Sequence, residues 1–132
     1  MTLSTQEIGT QRSISPNRLR AVLRKAWSAE TSVDPSRWSP SNPAYGQCAV
    51  TAIAVQDHLG GAIWRCRING ASHYFNVLDG DRTFDLTKEQ FPSDAVESDL
   101  SISSREYVLS FEATKGRYQM LSARLDELIG PS

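Results

Sequence analysis

The sequence predicts an α+β fold. A buried central helix, about residues 47–59, packs on a small antiparallel sheet of about 62–68, 72–77 and 81–86, with flanking helices at about 16–28 and 114–129. Three observations predict it. The run Cys48-Ala-Val-Thr-Ala-Ile-Ala-Val55 is apolar on nearly all sides, as a helix enclosed by other elements is. Three short runs rich in β-branched and aromatic residues follow it, separated by Asn69-Gly70 and Asp79-Gly80. The terminal stretches each carry one apolar helical face, which a further layer has to cover.

Residues 1–14 are polar and aperiodic, and read as a flexible lead-in to a single domain over 15–132. Ser15-Pro16 is a helix start, with serine as N-cap and proline at the first helical position. Leu19, Val22, Leu23, Ala26 and Trp27 then share one face, and Arg18, Arg20, Arg24 and Lys25 form a solvated opposite face. Pro35, Pro40 and Pro43 exclude regular structure between Ser32 and Tyr45, which leaves a shaped loop leading to Cys48. Gly60-Gly61 ends the central helix. Thr87-Lys-Glu-Gln90 reads as a capping box opening a short helical turn before Pro92, and Ser93–Ser104, rich in serine and acid, as an exposed loop. In the last helix Tyr118, Leu121, Leu125 and Leu128 form the inner face, and Gly130-Pro131 ends it.

Composition excludes several classes. With 14 basic and 15 acidic residues the formal net charge is −1, and no basic patch asks for nucleic acid or an anionic membrane. No stretch approaches the roughly 18 apolar residues of a membrane span, and no secretory leader stands at the N-terminus, so the expectation is a cytoplasmic protein, a monomer or weak homodimer. Two cysteines, Cys48 and Cys66, give no disulfide framework and are expected as free thiols. Neither paired metal-ligand spacing nor a phosphate loop occurs, so no metal and no cofactor is expected.

The chemistry centres on Tyr45-Gly46-Gln47-Cys48, which sets a thiol in the first turn of a buried helix, where unpaired N–H groups favour thiolate. A cysteine nucleophile needs a base, and the base a group that orients it. His58 lies about 15 Å along the same helix from Cys48 and cannot be that base. His73, in the middle strand, can. With a three-residue Leu78-Asp79-Gly80 loop, Val77 pairs with Asp81, Phe75 with Thr83 and His73 with Asp85, within imidazole–carboxylate reach. Asn76 is an odd step from His73 and faces the other way. Cys66 is the internal rival. A two-residue turn at Asn69-Gly70 sets it opposite His73 and a bulged turn sets Arg65 there, but Cys66 lacks a helix end and reads as a core thiol.

Gly46-Gln47-Cys48 with its apolar helix, then Ser72-His73-Tyr74-Phe75-Asn76-Val77 and Thr83-Phe84-Asp85-Leu86-Thr87, resembles the transglutaminase-like superfamily of cysteine enzymes, a branch of the papain-like fold. From Trp38 through Phe91, and again near Arg117-Tyr118, the chain is also similar to the YunG-like family of small uncharacterised bacterial proteins. The first resemblance implies a papain/transglutaminase-like core, with Cys48 as nucleophile, His73 as general base and then acid, and Asp85 as orienting carboxylate. The backbone N–H of Cys48 would meet the oxyanion. A second donor is left open. Neither Trp27 nor Trp38 stands at the transglutaminase spacing, and Gln47 is adjacent to the cysteine where papain-like peptidases set a glutamine several residues upstream. Gln47, Trp38 and Tyr45 are the candidates for that donor or for cleft walls. The expected function is a cysteine-dependent amide or acyl hydrolase or deamidase acting on a carboxamide- or peptide-containing substrate through an acyl-thioester. The alternative is a non-catalytic binding or scaffolding module of the same fold.

Overall fold

Ser15 caps the first helix, accepting from the Arg18 N–H at 3.1 Å, and Pro16 follows it, so α1 (Pro16–Ala26) begins where the sequence predicts. The computed structural model describes residues 14–130. The lead-in lies outside them except for Ile14, which packs on the core and so belongs to the folded part. After α1 come α2 (Cys48–Leu59), β1 (Ala62–Ile68), β2 (Ala71–Leu78), β3 (Arg82–Phe84), β4 (Glu97–Ile102), α3 (Arg105–Leu109) and α4 (Glu112–Ile129). The strands form one antiparallel sheet in the order β3-β2-β1-β4. The fold is α+β.

Helix α2 is central because its side chains find partners in two directions. Val50, Ala54 and Val55 join Leu19, Leu23, Leu121 and Leu125 of α1 and α4, while Ala52 and Ile53 join Ile63 of β1 and Val108 of α3. Asn76 fixes the helix to the sheet, donating from Nδ2 to the Ala52 carbonyl at 2.9 Å. The opposite sheet face carries Cys66, Ile68 and Phe75, covered in part by Phe91 and Ala95. Asp57 ties α2 to α3 and α4, pairing with Arg105 at 2.7 Å and accepting from the Tyr118 hydroxyl.

Several expectations need correction. Ser93–Ser104 is not a loop: it contains β4, which pairs with the free edge of β1 across an irregularity between Arg65 and Arg67. All six β4 residues are exposed, so the strand is held by backbone pairing and carries no burial pattern to read. The short α3, capped by Ser104, also went unpredicted. Thr87 makes no side-chain cap; Lys88–Gln90 is a 3₁₀ turn, and Gln90 Oε1 instead accepts the Gly46 N–H at 3.0 Å. On α4 Leu121 and Leu125 are buried but Leu128 is 43% exposed, off the face that packs on the core. The β2–β3 register is shifted by two residues: Val77 pairs with Thr83 and Asn76 with Phe84, around a loop of Asp79-Gly80-Asp81. The reason is that Asp81 (φ 59°) adopts the left-handed conformation together with Gly80 (φ 80°), which aspartate tolerates better than most residues.

Candidate functional site

Gly46, Gln47 and Cys48 each have a separate physical task. Gly46 has φ +70°, and a Cβ there would stand 2.3 Å from Ser32 Oγ and 2.9 Å from the Val33 nitrogen, so the loop closes on α2 only with glycine. Gln47 is fully buried; its Oε1 accepts from Thr31 Oγ1 at 2.7 Å and its Nε2 donates to the Ser28 carbonyl at 2.9 Å. Its amide is therefore spent on the turn after α1, and Gln47 offers no donor to the sulfur beside it. Cys48 is the first residue of α2. The first helical bond runs from the Thr51 N–H to the Gln47 carbonyl, which leaves the N–H groups of Cys48, Ala49 and Val50 outside the helical ladder.

Strand β2 brings His73 to this helix end. Because β3 pairs only with Asn76–Leu78, the first half of β2 has no β3 partner on that side. Gly46 is strapped to the chain after Asp85 through Gln90. His73 is wholly buried. Phe91 meets it edge-on at 5.1 Å and Phe75 lies stacked at 6.2 Å between ring centres. Its Nε2 lies 2.8 and 3.0 Å from the two Asp85 oxygens. A carboxylate only accepts, so Nε2 carries the hydrogen and Nδ1 is the nitrogen left to exchange a proton. Nδ1 has no hydrogen bond of normal geometry, yet Cys48 is near enough to act on the ring. Burial alone would lower the His73 pKa; the hydrogen bond to Asp85, then the interaction with Cys48, outweigh it and raise the imidazole to about 9.

The two-residue turn at Asn69-Gly70, with φ of 50° and 83°, sets Cys66 directly opposite His73 on β1. Cys66 has no exposed surface, and burial, followed by Glu97, pushes its thiol up to about 12. It is a thiol held protonated in the core.

The structure thus brings Cys48, His73 and Asp85 together, the last despite the shifted register, because a slip of two residues preserves the face. It does not bring Trp38 or Tyr45 to the sulfur. Trp38 Nε1 donates to the Pro43 carbonyl at 2.9 Å within the proline-rich loop, and the Tyr45 carbonyl accepts from Ser32 Oγ. Neither lines the cavity of about 190 Å³ at Cys48, whose walls include Gly46, Ser72, Tyr74, Val108, Phe111 and Arg117. A larger space of about 560 Å³ lies on the other sheet face against Trp64, Phe75 and Asp85, so it reaches the carboxylate and not the sulfur. Sequence reasoning missed Arg117 as a site residue. Its position four before Leu121 puts it beside the buried stripe of α4, and that was the available signal. No cluster of metal-binding side chains occurs among the described residues, and none of their helices is long and apolar enough to cross a membrane.

Residues 15–130 match the model of the YunG protein family. The chain belongs to the YunG family. It is 35% identical over 103 residues to the uncharacterised protein YunG of Bacillus subtilis (strain 168), an alignment covering 78% of this chain and 84% of that one. No solved structure matches. The YunG match takes in every residue of the site, from Gly46 at the helix entry to Arg117 on α4.

Proposed function

We propose that this YunG-family protein is a cysteine-dependent amide or acyl hydrolase or deamidase of transglutaminase-like type. The observation that carries the reading is His73 bonded through Nε2 to Asp85, with Nδ1 left without a hydrogen bond and Cys48 close enough to perturb the ring. Asp85 fixes the tautomer and the ring plane, so the remaining nitrogen can serve the sulfur alone.

In the proposed reaction the Cys48 sulfur, its proton held by His73, attacks a carboxamide carbonyl carbon. The carbonyl π electrons move to oxygen, and the N–H groups at the start of α2 meet the charge that develops there. The C–N bond then breaks, His73 delivers its proton to the departing nitrogen, and an acyl-thioester remains. Water attacks the thioester, His73 takes the water proton, and the acid leaves as the sulfur is regenerated with its proton on His73.

Iodoacetamide tests the reading. Cys48 should alkylate at pH 6 at least about tenfold faster than glutathione, and H73Q should remove that advantage. If Cys48 reacts no faster than glutathione and is indifferent to H73Q, the enzyme reading fails and the chain is a binding or scaffolding module.

A further inference from the structure

The Cys48 cavity is lined by a cation that no acid neutralises. Arg24, Arg67, Arg105 and Arg124 each meet a carboxylate. Arg117 meets none among the described residues: its Nη2 donates to Thr114 Oγ1 at 3.2 Å, and its Nε is buried without a hydrogen-bond partner. Such a donor in a charged group is costly to bury unless an acceptor arrives. The helix turn that carries Arg117 is itself fixed, because the adjacent Tyr118 is anchored on Asp57 and Arg105. Burial lowers its pKa and the nearby Cys48 opposes that, yet a guanidinium stays charged throughout the neutral range. The remaining walls are largely apolar, with Tyr74, Val108 and Phe111 among them, and about 190 Å³ equals the volume of about six water molecules.

Resting on the cysteine-hydrolase reading, we propose that Arg117 binds a carboxylate of the substrate, so that the small acyl group taken up by Cys48 carries a negative charge close to the carbonyl under attack. A planar guanidinium fork matches a carboxylate in two parallel hydrogen bonds and so fixes orientation as well as charge. The substrate class is a small carboxylate-bearing amide, or a peptide end that presents its own carboxylate.

Two alkylating agents of nearly equal size separate this from the parent reading. In both, the Cys48 sulfur forms a bond to the CH₂ carbon and iodide leaves, but iodoacetate brings a carboxylate and iodoacetamide a neutral amide. Rates at Cys48 are read by peptide mass spectrometry on the full chain. The iodoacetate-to-iodoacetamide ratio should exceed that of glutathione about tenfold, and R117Q should lower it about tenfold, with R117K between. An R117Q ratio equal to the wild-type ratio, with iodoacetamide still fast, overturns the carboxylate site and leaves the hydrolase reading intact. Slow iodoacetamide labelling of the wild type overturns the hydrolase reading and this inference with it. Should R117Q not fold, the wild type decides: propionate should protect Cys48 from iodoacetamide where propionamide does not, and equal protection by both overturns the site.

Discussion

Two thiols flank one imidazole, and they differ in everything but element. Cys66 comes from mid-strand, directly across from His73, with no exposed surface and its thiol pushed up to about 12 by burial and by Glu97. Cys48 comes from the first turn of a helix, partly exposed, on a cavity that also holds Arg117. Proximity to a histidine therefore does not make a cysteine reactive. The apolar enclosure that suits Cys66 to the core penalises its anion, whereas a helix end surrounds Cys48 with unpaired N–H groups.

The largest expected effect breaks this comparison at its hinge. Replacing His73 by glutamine removes the proposed proton carrier and should slow alkylation of Cys48 at pH 6 by about tenfold or more, down to the rate of glutathione. Cys66 should stay unlabelled in wild type and variant alike until denaturant is added. Peptide-resolved labelling measures both cysteines in one sample. Native labelling of Cys66 at the Cys48 rate would erase the distinction.

The next effect concerns pH. His73 is raised from an ordinary 6.5 to about 9, so the folded chain keeps a proton that the unfolded chain gives up. The stability this confers is fully present below about pH 6.5 and is lost as pH rises to about 9, amounting to roughly 3 kcal/mol. Chemical denaturation across that window should show the decline. In D85N the hydrogen bond that raises the imidazole most is weakened, so the slope should flatten. An equally steep D85N profile would assign the decline to other groups.

Gly46 sharpens the Cys48 side alone. G46A forces a Cβ into Ser32 and Val33 at a positive φ, with an expected loss of about 2 kcal/mol and slower labelling of Cys48. A Tm close to wild type would mean that the loop absorbs the methyl group and that the glycine is not needed to seat the cysteine.

The same contrast explains what the chain disclosed before folding. The place of Cys48 at a helix start and the contact of His73 with Asp85 were legible because helix starts, strand parity and turn residues are local signals, and parity survives a two-residue slip in register. Strand β4 was not, since Glu97–Ile102 owes its conformation to the open edge of β1 and not to its own side chains. Gln47 stood as a candidate for the second donor or a cleft wall because it adjoins Cys48, but adjacency says nothing about direction, and its amide turns back to Ser28 and Thr31. Arg117 was only half marked: its spacing from Leu121 sets it beside the buried stripe of α4, but only the packing of α4 against α2 brings it onto the wall of the Cys48 cavity.

The smallest effect makes Cys66 the control. C66A removes one buried sulfur from a cluster with Ile68 and Phe75, and the lost burial and small void should cost about 1 kcal/mol in denaturant unfolding. Labelling of Cys48 should stay within about twofold of wild type, because Cys66 supplies neither proton nor charge at neutral pH. A large drop would mean that Cys66, set across the strand from His73, fixes the imidazole from behind. The two thiols would then form one device, and the division drawn between core and site would fail at that pair.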